Sequence, residues 1–209
     1  MRYCAAVLAL AVAALFVAAL QGEPAPTPSV VPVTWELDFK YQDPQPIAVT
    51  LPDGSKKTFW YMLYTVANRT GADRTFIPDF TLYTDTGRIY RSGVAVPAVV
   101  FDAIQKNVNN PLLVDQTSIT GKILQGEDNA KDGVAIWPDI DPEARAFDSF
   151  IGGLSGEEAK IALPASQPGA ASTKVILRKA LRLQYAMPSE PAARAANPPK
   201  LVDKSWVMR

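Results

Sequence analysis

The chain has 209 residues, with 21 basic and 21 acidic side chains, a single cysteine and no histidine. Balanced charge offers no clustered positive surface for phosphates, so we expect no nucleic-acid partner. The absence of histidine excludes Ser-His-Asp and Cys-His nucleophiles. With only one cysteine it also removes the usual ligand sets for zinc, haem and iron–sulfur clusters, and we expect no cofactor.

The N-terminus has the layout of a secretory signal peptide. Arg2 precedes an apolar run from Cys4 to Leu20, which ends abruptly at Gln21. We predict a signal peptide over residues 1–22 and export to the periplasm or the extracellular space. An uncleaved anchor is the alternative, and only in that case do we expect this segment to hold the protein at a membrane.

The next ten residues, EPAPTPSVVP (residues 23–32), are rich in proline and have no hydrophobic period. This composition predicts an extended tether. The folded domain is expected to occupy residues 33–209, including a C-terminal extension.

Alternating apolar and polar side chains predict strands in the first half of the domain. In residues 34–40, Trp35, Leu37 and Phe39 point to one face and the charged residues to the other. Residues 58–67 are apolar on both faces, which is typical of a strand at the centre of its layer. The predicted strands of this half are 34–40, 47–51, 58–67, 80–84 and 88–90.

A helix is predicted over residues 97–108, because Val100, Ile104 and Val108 recur every four residues and Pro97 suits a first helical turn. After it, the pattern returns to strands, and the apolar end of the segment 200–209 is expected to dock on the domain. The predicted strands of this half are 119–124, 133–137, 147–154 and 174–187.

Eight or nine short strands with frequent turns and one helix favour an antiparallel two-sheet sandwich. Three segments add a resemblance: TFWYMLYTVANRTGADRTFIPDFTLYTDTGRIY (58–90), ILQGEDNAKDGVAIWP (123–138) and the closing SWVMR. Together they resemble the immunoglobulin-like domains of uncharacterised exported bacterial proteins. The resemblance implies an immunoglobulin-like fold and export, and it supplies no catalytic residue. The helix at residues 97–108 departs from a plain sandwich, so the predicted fold class is mainly β: an antiparallel immunoglobulin-like β-sandwich with one short inserted helix.

Four carboxylates lie close together in the sequence and are candidate calcium ligands: Asp139, Asp141, Glu143 and Asp148. Calcium prefers six to eight oxygen ligands, which such a segment could contribute, although its spacing is not that of an EF-hand. The alternative is a solvated acidic loop in which Asp141 caps the turn that follows it.

Aromatic side chains of the central strands are the other candidates for binding. Trp60 and Tyr64 are expected to pack in the core. Tyr83 and Tyr90 flank a hairpin turn, so they are the expected exposed pair for a sugar or an extended peptide.

The sequence favours an exported, non-enzymatic binding or structural module, whose partner would be an extracellular or envelope protein or a glycan. The alternative is a carboxylate-dependent hydrolase acting on glycans. That reaction needs two carboxylates facing each other across a cleft, about 5 to 10 Å apart.

Overall fold

The computed structural model describes residues 25–163, 173–188, 190, 193–194 and 197–209. The predicted signal peptide lies outside the described residues. The described chain is mainly β, with antiparallel sheets and two short helices, which confirms the predicted fold class. Its strands are β1 (Asp38–Tyr41), β2 (Gln45–Thr50), β3 (Lys56–Asn68), β4 (Arg74–Phe76), β5 (Asp79–Thr84), β6 (Ile89–Arg91), β7 (Gly121–Ile123), β8 (Gly126–Pro138), β9 (Ala146–Gly152), β10 (Glu158–Leu163), β11 (Thr173–Ala186) and β12 (Lys200–Met208); its helices are α1 (Ala98–Val108) and α2 (Gln116–Ile119).

The first sheet is built around β3, which has neighbours on both edges. β8 pairs along one edge, with Trp60 opposite Trp137, while β1 and β2 follow one another along the other edge. The prediction that residues 58–67 form a central strand is therefore confirmed.

The second sheet has the order β10–β11–β9–β5–β6, and β12 also pairs with β11. Arg178 exchanges backbone hydrogen bonds with Arg209, whereas the next residue, Lys179, donates its backbone N–H to Glu157. The backbone N–H and C=O groups of successive residues in a strand point to opposite edges, so β12 and β10 lie on different sides of β11. β4 and β7 form a separate two-stranded ladder.

The two sheets face each other across an apolar core. The ring of Tyr64 on β3 lies 4.8 Å from that of Phe80 on β5, and Phe80 in turn meets the edge of Trp137 on β8. Aromatic pairs of this kind stabilise a sandwich beyond the area they bury. Trp60 and Tyr64 are both buried here, as the sequence predicts.

A third layer covers the other face of the first sheet. Helix α1 buries Val100 and Ile104 against a second apolar cluster that includes Phe59 and Tyr61 of β3. This layer explains why β3 is apolar on both faces. The predicted helix over 97–108 is confirmed: Pro97 is the N-cap, and the helix ends where Asn109 adopts a left-handed conformation.

The short elements differ most from expectation. The predicted strand over residues 119–124 is shorter in the structure: Ile119 ends helix α2, and only Gly121–Ile123 form the strand β7. The strands β4 and β10 are not predicted from the sequence. β4 and β7 have three residues each, too few to show a period. No helix among the described residues is long and apolar enough to cross a bilayer.

A buried lysine and the loop it closes

Lys179 is the most completely buried charged residue among the described side chains, with only 2% of its surface exposed. It lies on β11, on the same face of the strand as Leu181, Leu183 and Tyr185, whose side chains pack in the core. Removing an ammonium group from water costs several kcal/mol unless it is paired and hydrogen-bonded. The surroundings of Lys179 must therefore supply compensating acceptors.

Three acceptors surround the ammonium. Its Nζ lies 3.1 Å from Glu36 Oε2, 3.2 Å from Glu157 Oε2 and 3.2 Å from the backbone oxygen of Ser29. The contact to Ser29 is a hydrogen bond, and the contacts to the two carboxylates are ion pairs. The ring of Trp206 on β12 lies 4.9 Å from Nζ and adds a cation–π contact.

Glu157 and Lys179 together bind the backbone of Ser29. Glu157 accepts a hydrogen bond from the N–H of Ser29 at 2.8 Å, while Lys179 donates to the Ser29 carbonyl. One carboxylate and one ammonium thus bind both backbone groups of a single residue.

These contacts set the charge states of the centre. Burial alone would lower the pKa of Lys179, but the hydrogen bonds and charges of Glu36 and Glu157 outweigh it, and the pKa is raised. The pKa of Glu157 is lowered, chiefly because the Ser29 N–H donates to it; burial opposes this change and Lys179 adds to it. Both groups are therefore charged at neutral pH, and one cation faces two anions.

Because Lys179 binds both Ser29 and Glu36, it closes the eight-residue segment between them, SVVPVTWE, at its base. We call residues 29–36 the valine loop. Its side chains Val30, Val31 and Val33 are 101%, 73% and 67% exposed. Three exposed valines within four residues form an apolar patch in a segment that has no charged side chain before Glu36.

The outgoing end of the valine loop is also fixed. Trp35 accepts a backbone hydrogen bond from Gly156 at 3.1 Å, and Leu37 donates to Leu154 at 2.8 Å. A Cβ atom at Gly156 would lie 2.4 Å from Nε1 of the Trp35 indole, so only glycine leaves room for this ring. The valines are thus held between two anchored ends.

A groove of about 680 Å³ adjoins the loop at Trp35. Its lining includes Gly153, Arg178, Lys179 and Ile77, and Ile77 is 63% exposed. Trp35 belongs to both the valine loop and the lining of the groove, so the two features adjoin there.

The two tyrosines predicted to bind a ligand lie on opposite faces of the second sheet. Tyr83 lies on the outer face, where its ring meets Phe150 edge-on and the Arg209 guanidinium lies 5.3 Å from it. Tyr90 is opposite Leu82 and packs against the core, and its hydroxyl accepts the backbone N–H of Asp141. The structure does not bring them together as one platform.

Three of the four candidate calcium ligands, Asp139, Asp141 and Asp148, bind different partners, while Glu143 donates its backbone N–H to Asp141. Asp139 accepts from the indole of Trp60. Asp148 pairs with Arg182 at 2.9 Å. In the described ranges, no three acidic, histidine or cysteine side chains are placed to hold a metal ion.

Asp141 caps its own turn, because it accepts the backbone N–H of Glu143, and it also binds Thr86 and Arg88. These hydrogen bonds, led by that of Glu143, lower its pKa. This geometry agrees with the capping alternative for the acidic loop.

The glycan-hydrolase alternative requires a carboxylic acid whose pKa is raised, so that it can donate a proton. Asp141 and Glu157, the two carboxyl groups that are buried among the described residues, have lowered pKa values instead. The raised pKa of Lys179 favours the protonated ammonium, which has no lone pair for nucleophilic attack.

Sequence reasoning does not identify Lys179 as a site residue, although one signal points to it. Lys179 alternates with Leu181, Leu183 and Tyr185, so the pattern directs its side chain towards the core, where a charge requires partners. Neither Ser29 nor Glu157 has a comparable signal, because their contacts with Lys179 join distant parts of the chain.

No protein-family model matches the chain, and neither the curated proteins nor the solved structures include a significant match. The resemblance to immunoglobulin-like domains therefore remains a prediction.

Proposed function

We propose that the chain is an exported, non-enzymatic binding module whose contact surface is the valine loop with the adjoining groove. The observation that carries this proposal is the closure of the loop: one buried ammonium holds Ser29 and Glu36, and the valines between them face solvent. Contiguous exposed apolar patches of this kind mark surfaces that bind proteins or membranes.

The chemistry of the centre supports binding more than catalysis. The Lys179 ammonium donates a hydrogen bond to Ser29 and is paired with Glu36 and Glu157, and the lowered pKa of Glu157 keeps that carboxylate ionised. Such a centre fixes the shape of the loop and offers no free acid, base or nucleophile.

Photo-crosslinking in the native host tests the proposal. A photoreactive amino acid replaces Val31, and a matched variant carries it at Val202, which is also exposed (62%) but lies on β12. We expect cross-linked products from position 31 and few from position 202. Equal labelling at both positions, or none at position 31, would contradict the proposal.

Export is tested separately on the same samples. Mass spectrometry of the protein from the cell envelope should find a mature N-terminus close to residue 23. A full-length chain in the cytoplasm would contradict the predicted signal peptide.

A further inference from the structure

We propose that the valine loop binds the lipid surface of the membrane through which the chain is exported, and so retains the domain there after the leader is removed. This inference rests on the proposed function and names the partner of the same surface.

Position along the chain favours a membrane as the partner. The apolar run ends at Leu20, and only residues 21–29, nine in number, separate it from Val30. Even when fully extended, nine residues span at most about 30 Å. While the apolar run lies in the bilayer, Val30 therefore stays within about 30 Å of the end of that run.

The chemistry of the loop limits how deeply it can enter. Within the described part of the chain, the backbone groups of Val30, Val31 and Val33 make no hydrogen bond to another residue. Unpaired backbone groups are excluded from hydrocarbon but are satisfied by water and headgroups at the interface. We therefore place the valines among the headgroups and not in the bilayer core.

The charge of the loop predicts the lipid dependence. Residues 29–35 carry no charged side chain, and at the base of the loop two carboxylates face one ammonium. Binding should therefore depend on apolar contact, with little influence of anionic lipid or of salt.

Vesicle flotation tests this inference on the chain that begins at residue 23, the predicted mature form, which includes every residue that the structure describes. The vesicles are phosphatidylcholine alone, or phosphatidylcholine with phosphatidylglycerol, at low and high salt. One variant combines Val30→Ser, Val31→Ser and Val33→Ser. The control combines Ile89→Ser, Val94→Ser and Val202→Ser, which also replace three exposed apolar side chains.

We expect the protein to float with both kinds of vesicle at both salt concentrations. The loop variant should lose about 10-fold or more of its partitioning, and the control should stay within about 2-fold, since binding scales with the apolar area inserted. A protein that stays unbound, a control that loses as much, or binding that high salt abolishes would overturn the inference.

A fluorescent probe gives a second readout that is independent of affinity. The only cysteine is Cys4, so Val31→Cys in the chain from residue 23 carries a single thiol for an environment-sensitive dye. Vesicles should shift its emission to the blue, and the same dye at Val202→Cys should not respond. Cross-links from position 31 to a protein, with no response to vesicles, would overturn the lipid inference and leave the proposed function intact.

Discussion

Lys179 joins parts of the chain that are far apart, because it contacts Ser29 and Glu36 at the two ends of the valine loop and Glu157 elsewhere. A buried ion centre of this kind adds little net stability over a well-packed apolar residue, but losing one partner leaves the other charges uncompensated. Its main effect is therefore on shape: it determines where the valine loop begins and ends.

Replacing Lys179 with methionine should lower the free energy of unfolding by about 3 kcal/mol, because the carboxylates of Glu36 and Glu157 would face each other without a cation. Urea denaturation measures this change. Lys174→Met is the matched control, since Lys174 is exposed on the same strand, and its effect should stay within about 0.5 kcal/mol. Equal losses in the two variants would contradict the role assigned to Lys179.

Docking of the loop should weaken in acid. The folded-state pKa of Glu157 lies below its ordinary value of 4.5, so its contribution is complete above that pH and is lost as the pH falls through the lowered value. The raised pKa of Lys179 makes its contribution complete below its ordinary value of 10.5, with loss only in stronger base.

Hydrogen exchange at the Ser29 amide, followed against pH and corrected for intrinsic exchange, should therefore show constant protection near neutrality and lose protection in acid. Glu157→Gln removes the titrating group, so that variant should be less protected and show no acid transition. An acid transition that persists in Glu157→Gln would assign the effect to another group.

At the scale of secondary-structure elements, the sequence predicts the long helix and strands well and the three-residue strands poorly. The 3.6-residue period gives α1 to within one residue, and the doubly apolar pattern identifies β3 as central. β4 and β7 are set by their pairing with each other, which no local pattern records. The valine loop is a further case: the sequence assigns residues 29–32 to a tether and residues 34–36 to a strand, while docking of the loop depends on residues about 130 and 150 positions away.

Helix α1 should contribute to stability as a full layer of the fold. Ile104→Ala removes a fully buried side chain between α1 and the first sheet, and we expect a loss of about 2–4 kcal/mol in urea denaturation. Asp102→Ala, on the exposed side of the same helix, is the control. A small effect of Ile104→Ala would mean that the helix packs only loosely on the sheet.

The close approach at Gly156 should also be measurable. Gly156→Ala would place a methyl group 2.4 Å from the Trp35 indole and should cost about 1–3 kcal/mol as the ring is displaced. The same substitution in a Trp35→Leu background should cost less, which makes a double-mutant cycle. A cost that is unchanged in that background would place the strain elsewhere.

At the scale of the whole molecule, the two ends of the described chain meet at Lys179. Ser29 binds it from the N-terminal side, and Trp206 on the last strand covers it from the C-terminal side. The valine loop is therefore supported by β12 as well as by its own sequence.

Because β12 covers Lys179, we expect a change in β12 to alter the docking of Ser29 at the other end of the described chain. Trp206→Ala removes the ring over the ammonium, so exchange at the Ser29 amide should speed up although no atom of the loop is altered. Val202→Ala, on the same strand but exposed, should leave exchange at Ser29 unchanged. The comparison is made by hydrogen exchange at neutral pH, and equal effects would exclude a specific link through Trp206.

The pairing of Arg209 with Arg178, one residue before Lys179, has a practical consequence. A fusion partner or affinity tag attached after Arg209 would emerge beside the groove, which Arg209 lines, and would mask the surface whose binding is being measured. The hairpin turn at Gly54, whose surroundings are open, lies between β2 and β3 and is a better place for an inserted label.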